Sequence, residues 1–392
     1  MAVYIRKPEP SQKLRDLGMG SKFDVSGYPS LLSAKRRMRF SFIYPSVGKG
    51  GRLFPLFKVL QSNACDGNCY YCANRKEREF RRVSFSPSEL AKLFIRYYEA
   101  GVAQGLFLSS AIYAGPSQVE ERMLETVRLV REIYGFRGYI HLKVLPGTDD
   151  DLIAEAAKYA DRLSINLEAP SPVYLSRLSP SKDYTSQLMR GVESIAKQNR
   201  RSPLKAGVTT QVVVGPAGEI DRELMELAHQ LYQRLGIWRV YYSGFTPIKG
   251  TPFEGLSPCS KWRETRLYQA DFLLRRYGFS PSELPYDHEG NLPQDVDPKF
   301  GWALAHPERF PVEVEKAPFG ELMRVPGIGR ISAQRIVNLR RREGIRGLEG
   351  LRRMGVVVKR ARNFITLRGK FSPSPEKKER IVDEQLFLWE EL

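Results

Sequence analysis

The chain has 392 residues, 42% of them hydrophobic, with 62 Lys and Arg against 44 Asp and Glu and a formal net charge of +18. That length can bury a large core in one large domain or two unequal ones, and such a charge surplus favours polyanionic partners. Four cysteines exclude a disulfide scaffold, no apolar stretch approaches the ~20 residues of a membrane helix, and the opening residues lack the apolar core of a signal peptide, so a soluble, cytoplasmic chain with no membrane is expected.

Residues 1–50 read as a basic extension, with the run KRRMR at 35–39 suited to phosphate contacts. The glycine-rich SVGKGGR at 46–52 lacks the spacing of a phosphate-binding loop and reads as a flexible turn into the first core strand. From there strand-like and helix-like runs alternate. Strands are expected at 53–60, 104–110, 138–147, 162–170, 205–219 and 238–247, with helices at 86–101, 119–134, 150–160 and 221–236 between them. Six such repeats predict an α/β fold with a parallel sheet, short of the eight units that close a barrel. In such folds the chemistry sits just beyond the carboxyl ends of the strands.

Beyond the first strand comes NACDGNCYYCANR, in which Cys65, Cys69 and Cys72 are three of the four cysteines. Closely spaced thiolates suit an iron–sulfur cluster, zinc or copper(I). Three thiolates leave one iron of a four-iron cluster open, whereas structural zinc wants a fourth Cys or His, and none lies near. Beyond the later strands stand Ser109 and Ser110, then Lys143, then Asn166 and Glu168, then Gln211 with Gly215 and Gly218. Glu168 reads either as a cofactor contact or as a capping or salt-bridging acid.

The C-x3-C-x2-C spacing with Tyr71 before the last cysteine resembles the cluster loop of the radical S-adenosylmethionine enzymes. The resemblance implies a partial (β/α)6 TIM-like barrel in which Cys65, Cys69 and Cys72 hold a 4Fe-4S cluster and S-adenosylmethionine binds the open iron. It further implies reductive cleavage to a 5′-deoxyadenosyl radical, fed by a one-electron donor such as flavodoxin or ferredoxin. By the same resemblance Tyr71, Ser109, Ser110, Asn166, Glu168, Gln211 and Gly215 contact the cofactor, and the Pro- and Gly-rich 242–255 closes the adenine pocket. The family often has Gly-Gly-Glu where this chain has Ser109-Ser110-Ala111. Cys259 is the leftover thiol, read as a plain loop cysteine or as a hydrogen donor to a substrate radical.

Residues 255–318 are rich in Pro and aromatics and read as a connecting or lid segment with one helix near its start, followed by loop. His288 and His306 read as surface or packing residues there, and Trp302 or Tyr286 as residues that could stack on a base. Residues 319–370 carry VPGIG at 325–329 ahead of an apolar helical pattern. Two glycines flanking one apolar residue expose backbone amides to an anion. The stretch resembles a helix-hairpin-helix, with Gly327, Ile328, Gly329, Arg330 and Arg335 toward DNA and a degenerate second copy over Leu348, Leu351 and Met354. An all-α module is expected. Residues 321–370 hold fourteen Lys or Arg against three Glu, so the surplus charge is concentrated here. Residues 371–392 form an acidic tail.

As a whole, 50–370 with FPVEV at 310–314 resembles a family of radical enzymes assigned to DNA modification or repair and encoded beside a uracil-DNA-glycosylase-like protein. The implied domains are 1–50, a radical barrel at 51–254, the connector at 255–318, the hairpin module at 319–370 and the tail at 371–392. DNA is the implied partner. Structured RNA and a non-catalytic metal-bearing DNA scaffold are the alternatives.

Overall fold

The computed structural model describes residues 9–21, 24, 40, 42–47, 52–341 and 344–373. The basic run at 35–39, the glycine-rich turn at 48–51 and the tail from 374 lie outside the described residues. The chain divides into two compact units. One holds the described residues up to Glu219 with Gln230–Cys259, and the other holds Ile220–His229 with the described residues from Ser260 on.

The first unit is built on a seven-stranded sheet whose spatial order follows the chain: β1 (Ile43–Val47), β2 (Leu53–Leu60), β3 (Gly105–Ser109), β4 (Tyr139–Lys143), β5 (Arg162–Ser164), β6 (Val208–Val214) and β7 (Arg239–Gly244). The six strands expected from the sequence are β2 to β7, all parallel. An unexpected strand, β1, adds antiparallel to β2 at the edge, pairing Ile43 with Phe57 and Pro45 with Pro55. Proline lacks an amide to donate, and an edge strand tolerates that. The result is an α/β fold with an open sheet, a partial barrel.

Helices follow the strands as the repeat requires: α1 (Pro10–Gly20) precedes the sheet, then come α2 (Pro87–Glu99), α3 (Pro116–Arg128), α4 (Asp150–Tyr159), α5 (Pro172–Leu178) and α6 (Arg190–Arg201). Helix α2 starts where Ser86 accepts from the Glu89 amide and Glu89 reaches back to the Ser86 amide, which satisfies two otherwise orphaned donors. Its apolar stripe, Leu90, Ala91, Phe94 and Ile95, is buried. Helix α6 approaches β5 so closely that a Cβ on Gly191 would lie 2.4 Å from Ile165 Cδ1.

Alternation along the strands gives the sheet two unlike faces. One row, including Val59, Leu106, Leu108, Ile140, Leu142, Leu163, Val212 and Val240, is buried and apolar save for Thr210 and the Tyr242 hydroxyl, each large apolar side chain contributing about 1.5–3 kcal/mol. The other row is set by the register pairs Lys58 with Phe107, Phe107 with His141, His141 with Arg162, Lys143 with Ser164, Thr209 with Arg239 and Gln211 with Tyr241. Its members touch across strands: His141 Nε2 lies 2.8 Å from Ser164 Oγ, and Arg162 Nη1 donates to Tyr241 OH at 3.3 Å. This inner row carries Lys58, Lys143, Arg162 and Arg239, and β2 to β7 contain no Asp or Glu.

The second unit includes α7 (Asp221–Gln230) up to His229, then α8 (Lys261–Phe272), α9 (Pro298–Ala305), α10 (Phe319–Arg324), α11 (Arg330–Arg340), α12 (Gly347–Arg353) and α13 (Val358–Ala361). It is not all-α. Three short strands, β8 (Val312–Glu313), β9 (Ile365–Leu367) and β10 (Lys370–Phe371), form a second sheet, because Val312 and Val314 donate their amides to Phe364 and Thr366. The connector also holds more helix than expected, at α9, whose first turn is capped by Asp297. Trp302 is 2% exposed and packs on Phe279 at 5.4 Å between centroids, so it is a core residue and not a base-stacking one. Buried Asp221 ties α7 down, accepting from Arg263 at 2.7 Å and from the Leu292 amide at 2.9 Å. The exposed His288 and the partly exposed His306, 3.0 Å from Glu308, are surface residues, as expected.

Candidate functional site

A cavity of about 360 Å³ opens at the carboxyl ends of the parallel strands in the first unit. Its lining includes all three clustered cysteines together with Tyr71, Ser109, Ser110, Asn166, Glu168 and Gln211. Residues nearly 150 positions apart in the chain therefore meet, most of them standing at or just past a strand end of one repeat and Gln211 within β6.

The cysteine loop runs from β2 without regular structure and is held by backbone bonds to three neighbours. Asp66 donates its amide to Ile112 O at 2.8 Å, Tyr70 to Leu178 O at 2.9 Å, and Lys76 to Gly67 O at 2.9 Å. Arg82 is the main clasp. Its guanidinium donates to the carbonyls of Asn63 and Asn74, both at 2.7 Å, and to those of Arg75 and Arg78 at 2.5 and 3.0 Å. Backbone amides point at sulfur: Gly67 N–H to Cys65 Sγ at 3.3 Å and Asn74 N–H to Cys72 Sγ at 3.4 Å. Cys69 Sγ lies 3.1 Å from Ser179 Oγ. Burial, then the neighbouring Cys69 thiol, pushes the Cys72 thiol up to about 12, and burial likewise raises Cys65. Cys65 and Cys72 so placed resist ionising without a cation beside them. Among the described residues no three His, Cys, Asp or Glu close on a single metal ion. Three thiols without a fourth Cys or His beside them suit a cluster with one open iron better than a structural zinc site.

Beside the thiols, Glu168 is held in a left-handed backbone conformation, φ +65°. For a residue with a side chain this costs about 1–3 kcal/mol. It persists because Glu168 bridges to β6, donating to Gln211 O at 3.0 Å and accepting from Val213 N at 2.8 Å. The carboxylate receives Lys182 Nζ at 2.7 Å and the Tyr71 hydroxyl. Burial, then the Glu168 charge, keeps Tyr71 protonated well above the ordinary tyrosine range. Burial works against the Lys182 charge, but Glu168 outweighs it and holds the ammonium well above its usual range. Glu168 therefore salt-bridges, as one reading of its sequence position had it, and lines the cavity as well.

Lys143 lines the cavity too, paired with Asp24, whose backbone carbonyl receives Lys58 Nζ. Lys182, Asp24 and Gln187 are lining residues that sequence patterns did not single out. From 242–255, Ser243, Phe245, Thr246 and Ile248 reach the cavity. Gly215 is not among the lining residues. Its φ of +114° and a notional Cβ 3.4 Å from Cys259 Cβ show a turn packed on the Cys259 segment, and Cys259 is likewise outside the lining.

In the second unit the two glycine turns pack on each other. Val357 donates its amide to Gly327 O at 2.9 Å, and a Cβ on Gly327 would sit 2.6 Å from Val357 O, so only glycine fits. Arg335 donates to Met354 O at 3.3 Å. Ile328 is buried, with Lys299 Nζ 2.6 Å from its carbonyl, and the Arg330 amide donates to the Tyr277 hydroxyl. Arg330, Arg335, Gly355 and Lys359 are exposed.

Residues 59–231 match the family model described as the radical SAM superfamily. The chain is 23% identical over 216 residues to an uncharacterised protein of Methanocaldococcus jannaschii, the match covering 52% of each. It is similar to the FeFe-hydrogenase maturase HydG from Carboxydothermus hydrogenoformans at 15% identity and a TM-score of 0.46, over 56% of this chain and 51% of that one. It is similar to methylornithine synthase at 17% identity and a TM-score of 0.45, over 73% and 82%. The chain spans about half the length of the first two.

Proposed function

We propose that this chain, whose residues 59–231 carry a radical SAM superfamily domain, is an enzyme that works by radical chemistry on a nucleic acid, DNA in the first instance. The superfamily uses a 4Fe-4S cluster and S-adenosylmethionine. When bound, that pair supplies an electron that cleaves the sulfonium and yields a 5′-deoxyadenosyl radical able to take a hydrogen atom from substrate.

The observation that carries the reading is the meeting of Cys65, Cys69 and Cys72 with Glu168 in one cavity at the strand ends. The three thiolates would hold the cluster, and the Gly67 and Asn74 amides would offset charge on two of the sulfurs. Glu168, with the Tyr71 hydroxyl already donated to it, presents an acceptor beside them, suited to the cofactor's amine or ribose hydroxyls. Ser109 and Ser110 are small enough to let a ligand approach the backbone, and Asn166 and Gln211 add amide groups across the cavity. Phe245 and Ile248 supply an apolar wall for a base.

The nucleic-acid part rests on charge and on the paired glycine turns, which read as a helix-hairpin-helix module. Exposed Arg330, Arg335 and Lys359 can neutralise phosphates without reading sequence. With the Arg330 amide already given to Tyr277, this grip relies on side chains more than on the turn's own amides. A base or sugar inside a duplex would have to be flipped out, which favours damaged or unpaired sites.

Anaerobically reconstituted protein with dithionite and S-adenosylmethionine should release 5′-deoxyadenosine, and Cys69→Ala should not. Release that survives the substitution would refute the cluster assignment. Competition binding with matched DNA and RNA duplexes at several salt concentrations tests the partner; preference for RNA would move the substrate to that class, and no salt-dependent binding would remove nucleic acid.

A further inference from the structure

The inner row of the sheet is charged with one sign only. Lys58 is 2% exposed, and Lys143, two strands away and two residues beyond the His141 that faces Phe107, is half-buried at the cavity wall. Two buried ammonium groups this close need compensating negative charge. No strand of the parallel sheet supplies it, since β2 to β7 hold neither Asp nor Glu. Among the described residues the compensation comes from Asp24, which follows α1 and belongs to no strand. Its carboxylate meets Lys143 while only its main-chain carbonyl meets Lys58. Lys58 completes its surroundings with ring faces, 4.6 Å from the Tyr44 centroid and 5.3 Å from that of Phe107. Burial, offset in part by Asp24 and reinforced by the nearby Lys143, lowers Lys58 to about 8. One carboxylate thus serves two lysines, and it stands in the wall of the same cavity as the cysteines and Glu168. Of the two lining lysines the other, Lys182, is already matched by Glu168, and Lys58 stands behind the wall.

We propose that Lys143 forms an oxyanion subsite for the substrate, a phosphate if the substrate is a nucleotide of a nucleic acid, with the buried Lys58 adding positive charge behind it, and that Asp24 stands in for that anion until substrate displaces it. The proposal rests on the reading of the chain as a radical enzyme acting on a polyanion. It makes Lys143 a specificity-determining residue and Asp24 a built-in competitor. A substrate phosphate would replace the carboxylate on Lys143 with a group of higher negative charge, a stronger charge-assisted match in the field of the buried Lys58 behind it. A neutral substrate would leave Asp24 in place.

Radiolabelled inorganic phosphate is the probe, in equilibrium dialysis with the full-length reconstituted protein. Comparing variants cancels binding elsewhere on a chain of net charge +18. Asp24→Asn should bind phosphate about tenfold more tightly than wild type, and Lys143→Gln about tenfold more weakly, as expected for one charge-assisted contact each. Lys143→Arg should stay within about threefold of wild type, which separates loss of charge from loss of fold. Saturating S-adenosylmethionine should leave the differences intact. Equal affinities for wild type and Asp24→Asn would overturn the proposal. So would one-for-one displacement of phosphate by S-adenosylmethionine, which would assign the lysines to the cofactor's carboxylate. Release of 5′-deoxyadenosine in the same preparation needs no phosphate, so failure of the enzymatic reading and failure of the subsite are distinguished.

Discussion

Lys182 and Glu168 are 14 residues apart, with helix α5 between them, yet their charged atoms lie 2.7 Å apart with the acid 7% and the lysine 17% exposed. Removing one member of such a pair strands the other charge. Lys182→Ala should cost about 3 kcal/mol in urea unfolding, and Glu168→Gln in the same background should recover most of it. If the double variant is as unstable as the sum of the singles, the two groups are not energetically paired.

Arg82 offers a test of how the cysteine loop is kept in shape. Its guanidinium binds four well-placed carbonyls around the loop, and a lysine cannot reproduce that fork. Both Arg82→Ala and Arg82→Lys should lose iron to a chelator at about 10–100-fold lower concentration than wild type, the usual cost of losing a supporting contact behind a metal ligand. Unchanged iron retention in both would show that the loop holds its form unaided.

Glu120 gives a pH dependence of known sign. It is wholly buried on α3, with Oε2 accepting from the Leu145 amide at 3.0 Å and Oε1 without a partner among the described residues. Burial raises its carboxyl from an ordinary 4.5 to about 8. Between those values the folded chain holds a proton that the unfolded chain has released. This group's contribution is therefore complete below the ordinary value, falls as pH rises, and is lost as pH passes about 8. Glu120→Gln should flatten the decline in urea midpoint between about pH 5 and about pH 8. An identical slope in the variant would mean the carboxyl is ionised in the fold.

The repeat of strands and helices was readable because each strand is a short apolar run closed by turn residues, and the repeat alone put Ser109, Asn166 and Glu168 at strand ends and Gln211 on the fifth strand. Strand β1 was hidden because Pro45 and the adjoining glycines resemble a turn, and only pairing with β2 makes the segment extended. Lys182 sits in SPSKDY, a stretch that looks like any solvated loop; its burial is a property of the folded α5 connection and not of its neighbours in sequence. Gly215 went the other way, since a glycine with positive φ serves any tight turn and its sequence does not say which wall the turn faces. In the second unit, strands of two and three residues are too short for alternation to register, which is why an all-α module was expected.

The second unit's glycines separate two roles. Gly327→Ala meets both a φ of +83° and the Val357 carbonyl, and should lower stability by about 2 kcal/mol or more. Gly320, inside α10, has nothing within 4 Å of a notional Cβ, and Gly320→Ala should stabilise by roughly 0.5–1 kcal/mol. Thermal melting of the two variants checks the pair; similar shifts of the same sign would mean the turn-on-turn contact is not where the constraint lies.

The unlike faces of the parallel sheet bear on how the chain finds a single registry. Where both faces of a sheet are apolar, a strand displaced by one residue still presents grease to grease, and the error is cheap. Here the same slip in β4 would drive Tyr139, His141 and Lys143 in among the helices and turn Ile140 and Leu142 toward the wet interior. The cations that make the inner wall attractive to an anion thus also act as proofreaders during assembly, penalising every misaligned sheet before any ligand is present.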